Sequence, residues 1–504
     1  ARALTVNLGT GGLTVAGAFT LGGNNSGTTI LDTTTSNRAL TFNTVTINSG
    51  STLTSRGSNV NITGTTGTLI TNTGTWTAKT TPSVTTLSGN GDATVSSAGL
   101  TFFSLTSSGT GTKTLGANTT VSSYFSITNG TFALSTFTLT LSGTNGAPFI
   151  PPSGGGVFDA GTGTVSYSGN YALGNTTIET SINYYNLYLN SNGETFNPNG
   201  DINGDAAGLL TINYGTLDTT ASNYDINFGR MSLANRTTVI LTPNDSVIML
   251  NGTGTVFTAG ALSIVSSSTS VIEITDTSNT AVTFSGGGGT YNYVWFDRGA
   301  STASNTISGS NTFTRLRDTG TAAHSMLFTA GTTTAVNTWD VSGTAGNLIT
   351  INSTSTATHT LSKLGGGVVG ADYLNIQHSV ATPSSTWYAG TNSVDNQSVA
   401  TAGSGWTFTA APSVCTATTT GSWNTGGNWT NCTGAGGVPA VDENVIIGTG
   451  VTITLDVDTP ELGSLAIDGT LYTSASSYQV NAKSLSVNDG GTLTANGSTI
   501  VLSK

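Results

Sequence analysis

Residues 45–53, Val45-Thr46-Ile47-Asn48-Ser49-Gly50-Ser51-Thr52-Leu53, carry the pattern that most restricts how this chain folds: two apolar residues on one strand face, an Asn-x-Gly turn, then a second strand start. The phrase returns in altered form at 125–132, 210–217 and 485–493. One such loop cannot cover its own apolar face, whereas parallel coils laid about 4.8 Å apart pair every backbone group with the coil above and below. Inexact recurrence from end to end therefore marks a stacked repeat architecture rather than a globular enzyme.

The alternative for a chain with 67 glycines and only 7% charged residues is a disordered low-complexity tract. Hydrophobic residues at 36% decide against it. They alternate with Thr, Val and Ile, which suits a pleated, half-buried surface, and no helical period is visible. Short runs such as Leu13-Thr14-Val15, Val60-Asn61-Ile62 and Leu69-Ile70 read as strands closed by Gly or Asn-Gly. An aromatic-led strand, as in Tyr184-Tyr185-Asn186-Leu187 and Tyr291-Asn292-Tyr293-Val294, opens a longer unit of several coils. At roughly 20 to 30 residues per coil the sequence predicts a β-solenoid rod of about 17 to 25 coils, with Thr and Asn ladders on its outer faces.

The expected fold class is all-β: a parallel β-helix (β-solenoid) over residues 1–410, then a second β-solenoid or β-rich module over 411–504, starting near Pro412. Cys415 and Cys432 are the only cysteines. A disulfide bracketing the module's opening loop, worth about 3 kcal/mol in the chain-entropy account, competes there with a zinc pair. No His or second Cys pair lies close enough in sequence to complete a tetrahedral site, which favours the disulfide and an oxidising compartment.

The runs Leu348-Ile349-Thr350-Ile351, Asp372-Tyr373-Leu374-Asn375-Ile376 and Thr386-Trp387-Tyr388, with Gly405-Trp406-Thr407-Phe408, resemble the closing coils of β-helical repeats in bacterial cell-surface and secreted proteins. Gly421-Ser422-Trp423, Gly427-Asn428-Trp429, Gly437-Val438-Pro439 and Asn444-Val445-Ile446-Ile447 resemble the opening of a fresh β-solenoid in the same adhesin-like group. The group has no single activity, so the resemblance implies location and shape rather than chemistry.

Net charge is −11, with only 13 Lys and Arg, so no basic stripe is available for phosphates or anionic lipid. Nucleic acid is excluded as a partner, and no apolar run approaches the roughly 20 residues that span a bilayer. Asp201, Asn203 and Asp205 alternate as calcium-loop oxygens do, yet Ala206 stands where a tight turn wants Gly, so a solvated turn competes with calcium, the one cofactor considered. Asp456 and Asp458 are expected on one strand face, with Glu461 after Pro460, where a plain acidic edge that discourages mispairing is favoured over a cation held between neighbouring molecules. His324, His359 and His378 lack metal-ligand spacing. Asp297, Arg298, Arg315, Arg317 and Asp318 form the only local charge concentration, which a polysaccharide-active β-helix enzyme would need and which surface ion pairs explain equally well. The glycine runs near 154–156, 286–289 and 365–367 lack a phosphate-binding Lys and read as turns. Tyr184, Tyr185, Trp295 and Trp387 suit either sugar stacking or interior packing. Sequons stand at Asn61, Asn118, Asn175, Asn235, Asn251 and Asn428.

Both ends are strand-like: Leu4, Val6 and Leu8 at one, Ile500, Val501 and Leu502 at the other. Uncapped ends imply either a longer chain or pairing with further copies. The sequence thus reads as a non-enzymatic extracellular or cell-surface structural protein that self-assembles head to tail into a filament or layer. A monomeric adhesin stalk that binds glycans or neighbouring cell surfaces is the alternative.

Overall fold

A computed structural model describes all of the chain except residues 1–3, 8–10, 23–28, 34–36, 56, 78–82, 97–98, 173, 267, 365–367, 385, 397–403, 412–413, 433, 474–475 and 504. The fold is a parallel β-solenoid, and the one helical element among the described residues is the 3-10 turn Gly426–Asn428. The chain forms two compact units, Ala1–Arg298 and Gly299–Lys504.

In the first unit nearly every strand pairs in parallel with one a full coil away. Thr106 meets Ser126 across 20 residues and Ser88 meets Asn61 across 27, each pair lying one coil apart. Because the period along each strand is two, one side chain in two points inward, and stacking puts inward residues in columns. One column runs Val165, Leu187, Leu210, Met231, Phe257 and Phe284, in register through five pairings and buried throughout.

The recurring phrase turns out to be a coil corner. Leu40–Ile47 and Ser51–Thr54 lie in different sheets, and Gly50 between them has φ +77°. At 210–217 the same bend occurs without a break, because strand Ile202–Asp218 passes through Gly215 at φ +91°. The phrase's Asn does more than turn the chain. Asn48 Nδ2 donates to Gly22 O at 2.8 Å, Asn213 Nδ2 to Asn190 Oδ1 at 2.7 Å, and Asn488 Nδ2 to Asp468 Oδ1 at 2.5 Å, each on the preceding coil.

Corners stack as closely as strands do, which explains the glycine content. A Cβ on Gly89 would sit 1.9 Å from Gly64 O, and one on Gly109 2.0 Å from Gly89 O. At another corner Lys113 is buried, and its ammonium donates to Gly91 O (2.5 Å) and Thr110 O (3.2 Å). Burial lowers its pKa, and Asp92 partly offsets this.

The second unit begins with coils in which one column runs Asn305, Met326, Ile351 and Ile376, all buried. Its interior is aromatic towards residue 406. Trp387 lies 5.5 Å from Trp339 and 5.1 Å from Trp406, and His359 stacks on Phe328 at 4.7 Å. From Cys415 onward the strands form separate five-, four- and two-stranded sheets around their own buried cluster of Trp423, Trp429, Val445, Ile453, Leu465 and Leu471. The sequence-based boundary at 410/411 adjoins residues 412–413, outside the described set, whereas compactness divides the chain after Arg298.

Candidate functional site

The most distinctive surface belongs to residues 415–504. The cluster opens with Trp423 and Trp429, packed edge to face at 4.8 Å, with Trp429 Nε1 donating to Trp423 O at 2.8 Å. Trp429–Thr430 runs antiparallel to Cys415–Ala417, against the parallel sense of the coils that follow. Cys415 and Cys432 are bonded, with Cα atoms 4.4 Å apart, which resolves the choice between disulfide and zinc. The carboxylate of Glu443 lies close to both sulfurs and accepts from Ala440 N at 2.7 Å, but sulfurs bonded to each other are not thiolate ligands.

The coils then stack in register: Asn444–Ile447 under Ser464–Ile467 under Leu485–Val487, and Thr452–Thr454 under Thr470–Tyr472 under Thr492–Thr494. The inward positions of the middle coil, Leu465, Leu471 and Val480, are buried. Their counterparts one coil on, Leu485, Leu493 and Ile500, are only partly covered, and Val487, Val501 and Leu502 are exposed at 47%, 38% and 58%. Leu485–Val487, Thr492–Thr494 and Ile500–Leu502 are each the last strand of their sheet. Among the described residues the three strands thus border a partly apolar coil face. At the other end Leu4–Asn7 is likewise the edge of a four-stranded sheet, pairing on one side with Thr29–Asp32. Leu4 and Val6 lie on that edge strand, and Leu8 lies outside the described residues.

Residues 428–499 match the family model of the G8 domain. G8 is an extracellular domain family, in keeping with the disulfide at the start of this module. The G8 match begins at the end of the 3-10 turn and covers the middle coils, leaving Ile500–Leu502 just beyond it. Neither the curated proteins nor the solved structures compared with the chain give a match. Among the described residues no helix is long and apolar enough to cross a membrane.

Elsewhere the structure redistributes the residues singled out from the sequence. Asp201, Asn203 and Asp205 alternate at an extended strand start, where alternate residues are roughly 6.6 Å apart. Asp201 Oδ1 accepts from Asp225 N (3.0 Å) and Asp205 Oδ1 from Ala207 N (2.8 Å), so each carboxylate already caps backbone. Asp456, Asp458 and Glu461 lie beyond strand Thr452–Thr454 rather than on one strand face, and they accept from Asn424 N, Gln479 N and Ser503 Oγ respectively. The charge concentration divides into structural pairs. Arg298 is buried and reaches Asp276 at 2.9 Å plus the carbonyls of Asp276, Ser278 and Thr280. Arg315 and Arg317 share Asp340, and Asp318 is buried against His324 Nε2 (2.9 Å) and Asn305 Nδ2 (2.8 Å). Burial, then the charge of Asp297, pushes the Glu273 carboxyl up.

His359 and His378 are brought together, with His359 N donating to His378 O at 3.1 Å. Burial chiefly, then His378, lowers the His359 pKa to about 3. The glycine runs near 154–156 and 286–289 are turns, with positive φ at Gly154, Gly155, Gly287 and Gly288, while 365–367 lie outside the described residues. Tyr184 and Trp387 are interior, and Tyr185 and Trp295 are half-buried. Of the sequons, Asn118, Asn175 and Asn235 are exposed, whereas Asn428 is buried with its amide donating to Ser422 O.

Sequence reasoning missed a buried network next to the aromatic repeat. Tyr167 and Tyr184 share a hydroxyl contact of 3.1 Å, Tyr184 also donates to Glu179 O, and the Glu179 carboxylate accepts from Ser181 N and Asn199 Nδ2. Burial raises both phenol pKa values. Nearby, buried Glu194 accepts from Tyr171 N (2.8 Å) and Thr176 Oγ1 (2.9 Å). The available sign was an isolated Glu among Thr and Asn in a chain poor in charge.

Proposed function

We propose that this protein is an extracellular structural element whose coil stacks join head to tail through their open strand edges into a surface filament or layer. The carrying observation is the row of partly covered core residues Leu485, Leu493 and Ile500 beside exposed Val487, Val501 and Leu502, on strands that pair on one side only among the described residues. Another coil laid on it buries that row and satisfies the edge backbone, and the N-terminal edge strand Leu4–Asn7 of a second copy supplies parallel strand geometry for it. The reading assigns no catalysis. Its support is that Arg298, Arg315, Arg317 and Asp318, the group an enzyme would use, are engaged in ion pairs and hydrogen bonds, the arginines to carboxylates one coil away.

The test is light scattering of the full chain against concentration, with Val501→Lys and Leu502→Lys combined as the edge-blocking variant. The unaltered chain is expected to grow in mass with concentration and the variant to stay at one chain length with unchanged circular dichroism. Equal behaviour of the two proteins contradicts the proposed joint.

A further inference from the structure

The first unit carries a second surface that assembly does not use. Where the aromatic repeat begins, a cleft of about 780 Å³ opens between the corner at 157–161 and the starts of strands Asn183–Pro198 and Ile202–Asp218. Its floor is an amide ladder: Asn183 lies in register with Asn203, and Asn203 with Asn227, on three successive coils. Asn227 Oδ1 is buried and has no hydrogen-bond partner. Such an orphaned acceptor is costly unless a ligand or water meets it.

Two carboxylates flank the ladder. Asp159 Oδ1 accepts from Gly161 N at 2.9 Å and Asp205 Oδ1 from Ala207 N at 2.8 Å. Each is thereby held by a backbone amide through one oxygen, and both residues line the cleft. The half-buried ring of Tyr185 also lines the cleft. No Lys, Arg or His stands among the described lining residues.

These features select a ligand class. Oriented carboxylates and amides hydrogen-bond neighbouring hydroxyls, the carboxylate only accepting and the amide both donating and accepting. A tyrosine ring offers an apolar face to the C–H side of a pyranose. Two acidic groups with no cation among the described lining residues, the nearby Arg230 guanidinium being held on Ala207 O at 2.9 Å, disfavour uronates, sulfates and phosphates. Three rungs about 4.8 Å apart suit an extended ligand of several units rather than a single ring. We propose that this cleft binds a neutral oligosaccharide. The proposal rests on the extracellular placement, where glycans are met, and is independent of the head-to-tail joint.

The experiment applies the full 504-residue chain to an array of neutral glycans, with tetragalacturonate as the anionic control, followed by calorimetric titration of the best ligand. Tyr185→Ala, Asn203→Ala and Asp205→Asn are compared in parallel, each checked for an unchanged melting curve. At least one neutral oligosaccharide is expected to bind, with Tyr185→Ala weakening it about tenfold and tetragalacturonate giving no heat. The absence of any neutral ligand overturns the proposal. So does binding indifferent to both Tyr185→Ala and Asp205→Asn, or a uronate bound equally well. Scattering on the same samples separates this outcome from failure of assembly, because a chain that binds sugar without growing in mass refutes only the joint.

Discussion

His359 shows how one residue can set the pH limits of such a core. It is 1% exposed, stacked on Phe328, with neither ring nitrogen hydrogen-bonded, so only the neutral form is tolerated. With a folded pKa of about 3 against 6.5 unfolded, the unfolded chain binds more protons between those values. Stability is therefore fully present above about pH 6.5 and declines on acidification towards pH 3, by roughly 3–5 kcal/mol for this group. Urea midpoints measured from pH 7 to 4 should fall, and His359→Phe should flatten the fall. Arg298 behaves oppositely in kind. It is a buried cation satisfied by one carboxylate and three carbonyls, so Arg298→Ala strands Asp276 and is expected to destabilise by about 3–5 kcal/mol in equilibrium unfolding.

Arg298 also explains what was not legible in the sequence. Its partner Asp276 is 22 residues upstream, one coil away, as is true of most polar pairs in this fold. Asp297, Arg298, Arg315, Arg317 and Asp318 are close in sequence, whereas in a solenoid the spatial neighbour lies one coil along the chain. The same reason hid the Asn203–Asn227 rung and the Glu194–Thr176 bond, 18 residues apart.

Among the elements, corners carry as much constraint as strands. The alternation of apolar residues made the strands readable, and the Asn-x-Gly phrase made the corners readable as turns. That its Asn would bridge to the coil below was not readable, because the acceptor differs each time: Gly22, Asn190 or Asp468. The stacked glycines yield a sharp expectation. Gly109→Ala places a methyl 2.0 Å from Gly89 O, so the corner must move, and thermal melts should show a loss of about 1–3 kcal/mol. In the module from Cys415 onward, Cys415→Ser with Cys432→Ser releases a crosslink across 17 residues, and a loss of about 3 kcal/mol is expected. Hydrogen exchange should localise that loss to residues 415–504, with the coils around Val165–Phe284 unchanged.

On the scale of the whole molecule, a weakly charged chain made of backbone ladders suits the load-bearing role proposed above. The disulfide and the G8 match over residues 428–499 are in keeping with an extracellular setting. The proposed assembly and the proposed glycan binding do not compete, since the apolar coil edge at 485–502 and the polar cleft near Asn203 belong to different units. Charging the edge at Val501 and Leu502 should abolish growth in mass while leaving glycan binding intact.

Electron microscopy of the full chain at rising concentration tests the joint most directly. Single-file particles in which the spacing of about 4.8 Å between coils continues through each junction are the predicted result. Separate particles at every concentration, or contacts made side to side, would contradict it.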